Sequence, residues 1–159
     1  MPSSYEAKIA KVPGVKAVTM WQWFGGVYKD ERDPKNFFMR MAAEPAALFD
    51  ILTEIQIPGG QKQAFQRDRT GCIAAKALAD RQGWKLGQHI AIVGDIFYVN
   101  LDLTLDGIFD TPDHLEMLFF NHDYLRESLS GPARAIDTMF DNSLWEMRMK
   151  GRSGISRAL

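Results

Sequence analysis

The sequence has a single cysteine, Cys72, in 159 residues. No intramolecular disulfide can form, and no cysteine cluster can hold a metal ion. Long hydrophobic runs are also missing. Apolar stretches such as Ile90–Val93 end within a strand's length, far short of the roughly 18 residues a membrane span needs. Nor is there an excess of one charge: Lys and Arg total 19, Asp and Glu 20, and the formal net charge is −1. Acids and bases alternate, as in Lys29-Asp30-Glu31-Arg32-Asp33, which argues against the concentrated basic field of a nucleic-acid binder. Met1–Tyr5 has neither the basic start nor the apolar core of a secretory leader. Taken literally that means cytoplasmic, although a domain cut from a membrane protein would look the same. Gly-x-Ser-x-Gly, Walker and dinucleotide-binding glycine patterns do not occur, so three common enzyme signatures are excluded.

What is present is a globular balance, 46% hydrophobic and 25% charged, in a length that suits one domain or one domain with a second lobe inserted. Helical and strand patterns interleave. Ser3 and Glu6 have capping-box spacing ahead of a helix over 4–11, which Pro13-Gly14 stops. Val15–Trp21 reads as a strand, and Gly25-Gly26 with the charged run to Asp33 as a loop. Phe37, Met39 and Met41 alternate with Asn36 and Arg40, which predicts a strand burying the apolar set. Pro45 opens a helix with Leu48, Ile51, Leu52 and Ile55 inward, and Pro58-Gly59-Gly60 breaks the chain.

Gly71–Ala74 reads as a short buried strand, followed by a helix over Lys76–Gln82 and a strand over His89–Val93. Val99, Leu101, Leu103 and Leu105 alternate strictly with polar residues, the mark of a half-buried antiparallel strand. Leu115–Phe120 is a further strand and Asp123–Leu129 a helix. Ile136, Met139, Phe140, Leu144 and Met147 recur at helical spacing to close the chain. The fold class is α+β.

Candidates for chemistry are few. His89, His114 and His122 share no i, i+4 spacing, and the plain reading is surface histidines, although His114 and His122 each adjoin an aspartate. Cys72 with a histidine would make a nucleophile and base. Its neighbours Ile73, Ala74 and Ala75 favour a small buried core residue instead. No catalytic, metal-binding or cofactor-binding residue is assigned. Trp21, Trp23 and Phe24 are concentrated beside Gly25-Gly26. They either roof the core or anchor a partner or apolar ligand.

Taken in order, several motifs resemble a known family. They are Val12–Val18, Phe24-Gly25-Gly26, Phe37–Met41, the turn Gly83-Trp84-Lys85-Leu86-Gly87-Gln88-His89-Ile90, Leu105-Asp106-Gly107-Ile108, and Ile136-Asp137-Thr138-Met139-Phe140-Asp141-Asn142-Ser143. Together they resemble the periplasmic core domain of MacB/FtsX-type ABC-transporter permeases over most of residues 5–147. Two departures stand out: Gln88 replaces an acidic residue of the turn, and the segment from Leu129 to Ile136 is short where the family has another strand.

The resemblance implies a discontinuous membrane-proximal, porter-like lobe of residues 1–43 and 113–150, with an inserted lobe of residues 44–112. Residues 151–159 match nothing in the family and are expected to be a flexible or expression-derived tail. It further implies a domain on the periplasmic side of the inner membrane that catalyses nothing and transmits ATP-driven motion. The implied partners are the permease's own transmembrane part, a cytoplasmic ATPase subunit, a second permease copy, and a periplasmic partner protein or hydrophobic substrate. No cofactor and no nucleic acid are implied. The competing readings are a free-standing binding module using Trp21, Trp23 and Phe24, and a small cysteine hydrolase.

Overall fold

A computed structural model describes residues 8, 11–15, 21–95, 99–129, 145–151 and 154–158. Among the described residues nine strands order as β2-β5-β6-β4-β7-β3-β1-β8-β9, and one short segment joins the two halves of that order. β1 (Trp21–Trp23) and β2 (Gly26–Val27) are separated by two residues in sequence yet lie far apart in the strand order. The hydrogen bonds explain how. β1 pairs antiparallel with β3 (Met39–Ala43), Trp23 facing Met41, and the Phe24 N–H donates to the Arg40 carbonyl at 2.9 Å. The next residue turns the other way: the Gly25 carbonyl accepts from the Asp95 N–H, and β2 pairs with β5 (His89–Gly94). Successive residues of a strand direct their N–H and C=O groups to opposite edges. Residues 21–27 are therefore one bent strand with β3 on one edge and β5 on the other, and the sheet closes on itself as a six-stranded barrel.

Between those two neighbours the circuit runs through β6 (Asn100–Phe109), β4 (Gly71–Ala75) and β7 (Met117–Asn121). β5 and β6 are antiparallel, β6 and β4 parallel, β4 and β7 antiparallel, β7 and β3 parallel. β5 and β6 keep one face in water, and their inward residues Ile90, Ile92, Leu101, Leu103 and Leu105 are buried. β4, at the centre, is buried at every position, and its small residues Cys72, Ala74 and Ala75 leave room for helices above it. Trp21 meets Phe119 edge-on at 5.5 Å and Phe24 meets Phe120 at 5.7 Å. Adjacent residues of a strand face opposite ways, so β7 is covered on both sides.

The helices pack at different places around the sheet. α1 (Pro45–Ile51) and α2 (Gly59–Arg67) meet through Phe49 and Phe65, edge-on at 6.2 Å. α2 seats on β6 where Gly107 leaves space: a Cβ there would lie 2.8 Å from Ile57 Cδ1. The Gln61 side chain then accepts from the Ile108 N–H at 2.9 Å. α3 (Lys76–Gln82) ends at Gly83, whose φ of +69° is the left-handed cap that glycine supplies without strain. α4 (His122–Ser128) follows β7, with Asn121 capping its N-terminus by accepting from the Asp123 N–H. β8 (Trp145–Gly151) pairs with β1, and β9 (Gly154–Ala158) pairs antiparallel with β8.

Five expectations need correction. The alternation has the opposite phase over 36–40, where Asn36, Phe38 and Arg40 are buried while Phe37 is 75% and Met39 48% exposed; Met41 is buried as expected. Pro58-Gly59-Gly60 does not break the chain but opens α2, where residues of low helix propensity stand in the first turn and tertiary packing overrides them. α1 ends with Leu52 as its C-cap, before Ile55. β6 is antiparallel only towards β5; towards β4 it is parallel. Met147 lies in strand β8, not in a closing helix. The rest of that helix (136–144), nearly all of the helix over 4–11, and residues 16–20 lie outside the described residues.

The face assignment of β6 is directly testable. Leu101→Asp buries an unpaired charge and should cost roughly 3 kcal/mol or more. Thr104→Ala, on the other face of the strand, should cost less than about 1 kcal/mol. Equal urea midpoints for the two variants would contradict the assignment.

Candidate functional site

The three aromatic candidates separate once the chain is folded. Trp21 and Phe24 are core residues, and of the three only Trp23 keeps an accessible surface, half-buried against the same core. The cluster therefore does not form an open aromatic platform. A different aromatic group forms nearby: Tyr28, Phe38 and Trp84 meet edge-on at 5.3–5.8 Å. The Trp84 Nε1–H donates to the Tyr28 hydroxyl at 2.9 Å, which satisfies the polar end of each ring. Nothing in the local sequence joins Tyr28 to Trp84; the pair exists because the bent strand brings the 28 region over the turn that follows α3.

Cys72 is fully buried in β4. Burial, and then the charges of Asp106 and Asp68, push its thiol well above the ordinary value, so the nucleophilic thiolate is suppressed. The histidines do not converge on it. His89 Nδ1 lies 3.2 Å from Asp102 Oδ1 and His114 Nδ1 3.7 Å from Asp110 Oδ1, all at exposed positions. Burial lowers the pKa of His122, at the start of α4. Among the described residues no group of three or more His, Cys, Asp or Glu side chains could hold a metal ion.

The titrating feature that sequence reading missed is a carboxyl pair. In the pairing of β4 with β6, Cys72 faces Leu105 and Ile73 faces Gly107, so Asp106 is the extra residue of a β-bulge. The bulge aims its carboxyl at the backbone of Gly71, where a Cβ would collide with Oδ2, and toward Asp68. Asp68 in turn accepts from the Thr70 N–H and hydroxyl at 3.0 and 3.1 Å. Partial burial, then the Asp68 charge and a hydrogen bond to Asp68, push Asp106 up from 3.8 to about 6. The signal in the sequence was Leu105-Asp106-Gly107, an acid at the end of a strict alternation, but a bulge has no signature in a single strand.

Two chemical consequences follow. Cys72 in the folded protein should react slowly with a thiol reagent and quickly after unfolding; rapid stoichiometric labelling of the native state would contradict the buried assignment. Asp106 binds its proton more tightly folded than unfolded. Its contribution to stability is therefore complete below the unfolded value near 3.8 and is lost as the pH rises through about 6. Asp106→Asn should flatten that decline. It should leave the variant more stable than the parent at neutral pH by on the order of 1 kcal/mol, since much of the group is open to solvent screening. Parallel thermal midpoints for both proteins from pH 4 to 7 would refute the raised value of Asp106.

The architecture, a mixed sheet curled into a barrel and packed with helices, is α+β. No protein-family model matches the sequence, and no curated protein matches it. Solved structures do. A domain of a protein described as a permease from Porphyromonas gingivalis is 20% identical, with a TM-score of 0.60 over 94% of this chain and 67% of that one. The extracellular domain of the noncanonic ABC-type transporter YknZ from Gram-positive bacteria is 13% identical, TM-score 0.59, over 82% and 67%. The periplasmic region of MacB from Actinobacillus actinomycetemcomitans is 10% identical, TM-score 0.53, over 80% and 58%. The fold is thus that of the extracytoplasmic domains of ABC-transporter permeases, and this chain spans about two thirds of the first two domains and less of the third.

Proposed function

We propose that this chain is the extracytoplasmic domain of an ABC-transporter permease. On this reading it catalyses nothing itself and passes ATP-driven motion from the membrane helices of its parent to a substrate or partner outside. The observation that carries the proposal is the likeness to the extracellular domain of YknZ and the periplasmic region of MacB, over 82% and 80% of this chain, and to a permease domain over 94%. Among the described residues no helix is long and apolar enough to cross a membrane, so the spans would belong to other regions of the parent protein. Partners on this reading are the permease's own transmembrane region, an ATPase reached through it, a second permease copy, and a periplasmic protein or hydrophobic substrate.

The lobes on this proposal are residues 1–43 with 113–150 near the membrane, and residues 44–112 inserted between them. β4 of the inserted segment pairs with β7 of the other. Relative movement of the two would therefore bend a continuous sheet rather than pull separate bodies apart. Backbone hydrogen bonds resist shear along the strands, so motion entering at one segment is carried to the other.

The test uses the parent protein in intact cells. Gly60, where a side chain would meet nothing within 4 Å, is replaced by cysteine in a Cys72→Ala background. A membrane-impermeant maleimide should label it from outside the inner membrane. Labelling only after lysis would overturn the extracytoplasmic placement.

A further inference from the structure

The bent strand leaves a gap. Its pairing with β3 ends at the bond from the Phe24 N–H to the Arg40 carbonyl, and beyond it the two chains diverge. By the alternation that sets that bond, the N–H and C=O of Gly26 face the same side. The fork is a cleft lined by Gly26, Val27 and Tyr28 on one wall and Asn36, Phe37 and Arg40 on the other, with Glu31 at its rim. The cleft is small and takes one side chain rather than a drug-sized molecule.

Arg40 forms the base of the cleft. Only 3% of its surface is exposed, yet no ion pair among the described residues includes it. Nη2 donates to the Asn36 carbonyl at 3.3 Å, the guanidinium lies 4.5 Å from the centre of the Phe38 ring, and the buried Nε–H has no acceptor. A guanidinium offers five donors in a planar fork, and desolvation already lowers its pKa, offset only in part by the charge of Asp95. Buried cations are normally paired, because an uncompensated one is costly. At the mouth stands Phe37, 75% exposed beside Met39. An exposed aromatic side chain beside a buried, unpaired arginine is the composition of an interface anchor.

We propose that the fork between β2 and β3 is a docking socket for a partner protein, which inserts an aspartate or glutamate carboxylate onto Arg40 and packs neighbouring apolar side chains on Phe37. A carboxylate matches the planar donor fork in charge and shape. The socket rests on this geometry alone and stands whether or not the parent is a permease.

The test titrates the intact chain with the probe acetyl-Leu-Glu-Leu-amide, its glutamine counterpart, sodium acetate and inorganic phosphate. Binding is read from the Arg40 Nε–H and the Gly26 and Phe37 amide resonances. The glutamate peptide should saturate these shifts and bind about tenfold or more tighter than the glutamine peptide. Phe37→Ser, at an exposed position, should weaken the peptide several-fold and leave acetate unchanged, while Glu31→Gln should tighten the peptide. Arg40→Met should abolish peptide binding. If that variant does not fold, Phe37→Ser and the glutamine peptide still decide the matter. Absence of saturation, equal affinity for the two peptides, or no effect of Phe37→Ser would overturn the proposal. Acetate or phosphate binding as tightly as the peptide would assign the cleft to a free anion and overturn the protein partner.

Discussion

The structure depends on one strand being shared. Residues 21–24 pair with β3 on one edge, and residues 25–27 pair with β5 on the other, beyond the stretch that β8 holds; without that double pairing the sheet would be open along β3 and β5. Closure removes those edges, which otherwise recruit other chains, and it forces the curvature that the rest of the core must fill. Phe24 sits at the bend with no exposed surface. Gly26 follows because a Cβ there would lie 2.8 Å from both Ile92 Cγ2 and the Val93 carbonyl.

Bending has a local consequence. A strand can follow β3 or swing toward β5, but it cannot hold both along its whole length. Where it leaves β3, backbone groups and a buried guanidinium are left facing a cleft. The Tyr28–Phe38–Trp84 cluster fixes the two walls of that fork. Arg81 at the end of α3 holds the outer wall by donating to the Phe37 carbonyl at 3.3 Å while pairing with Glu116. The fork is thus braced on both sides, as a binding feature has to be if its geometry is to persist without a ligand.

A shared fold at 10–20% identity carries the architecture and leaves the particular work of the protein to its surface. The residues that could differentiate this domain are those that packing does not account for. Phe37 and Met39 stand in water where hydrophobicity alone would bury them, and Arg40 is buried where charge alone would expose it.

Much of the architecture was legible in the amino-acid order, because period and punctuation are local. The alternation Leu101, Leu103, Leu105, the buried run Gly71–Ala74, and the helix Lys76–Gln82 closed by Gly83 all emerge from the sequence. Each depends on a residue's own neighbours along the chain. The ordered motifs also pointed to the fold shared with permease domains. Phase, partner and closure were decided by tertiary structure. A strand's period is two whichever face turns inward, so Phe37 and Met39 carried the apolar signal while Phe38 and Arg40 took the buried side. The bulge at Asp106 needs a second strand to define it. The bend at Gly25-Gly26 became a barrel seam only because β3 and β5, distant from each other in the sequence, reached opposite edges of the same seven residues. Local sequence sets which backbone groups can pair, but their partners are chosen by the packing of the whole chain.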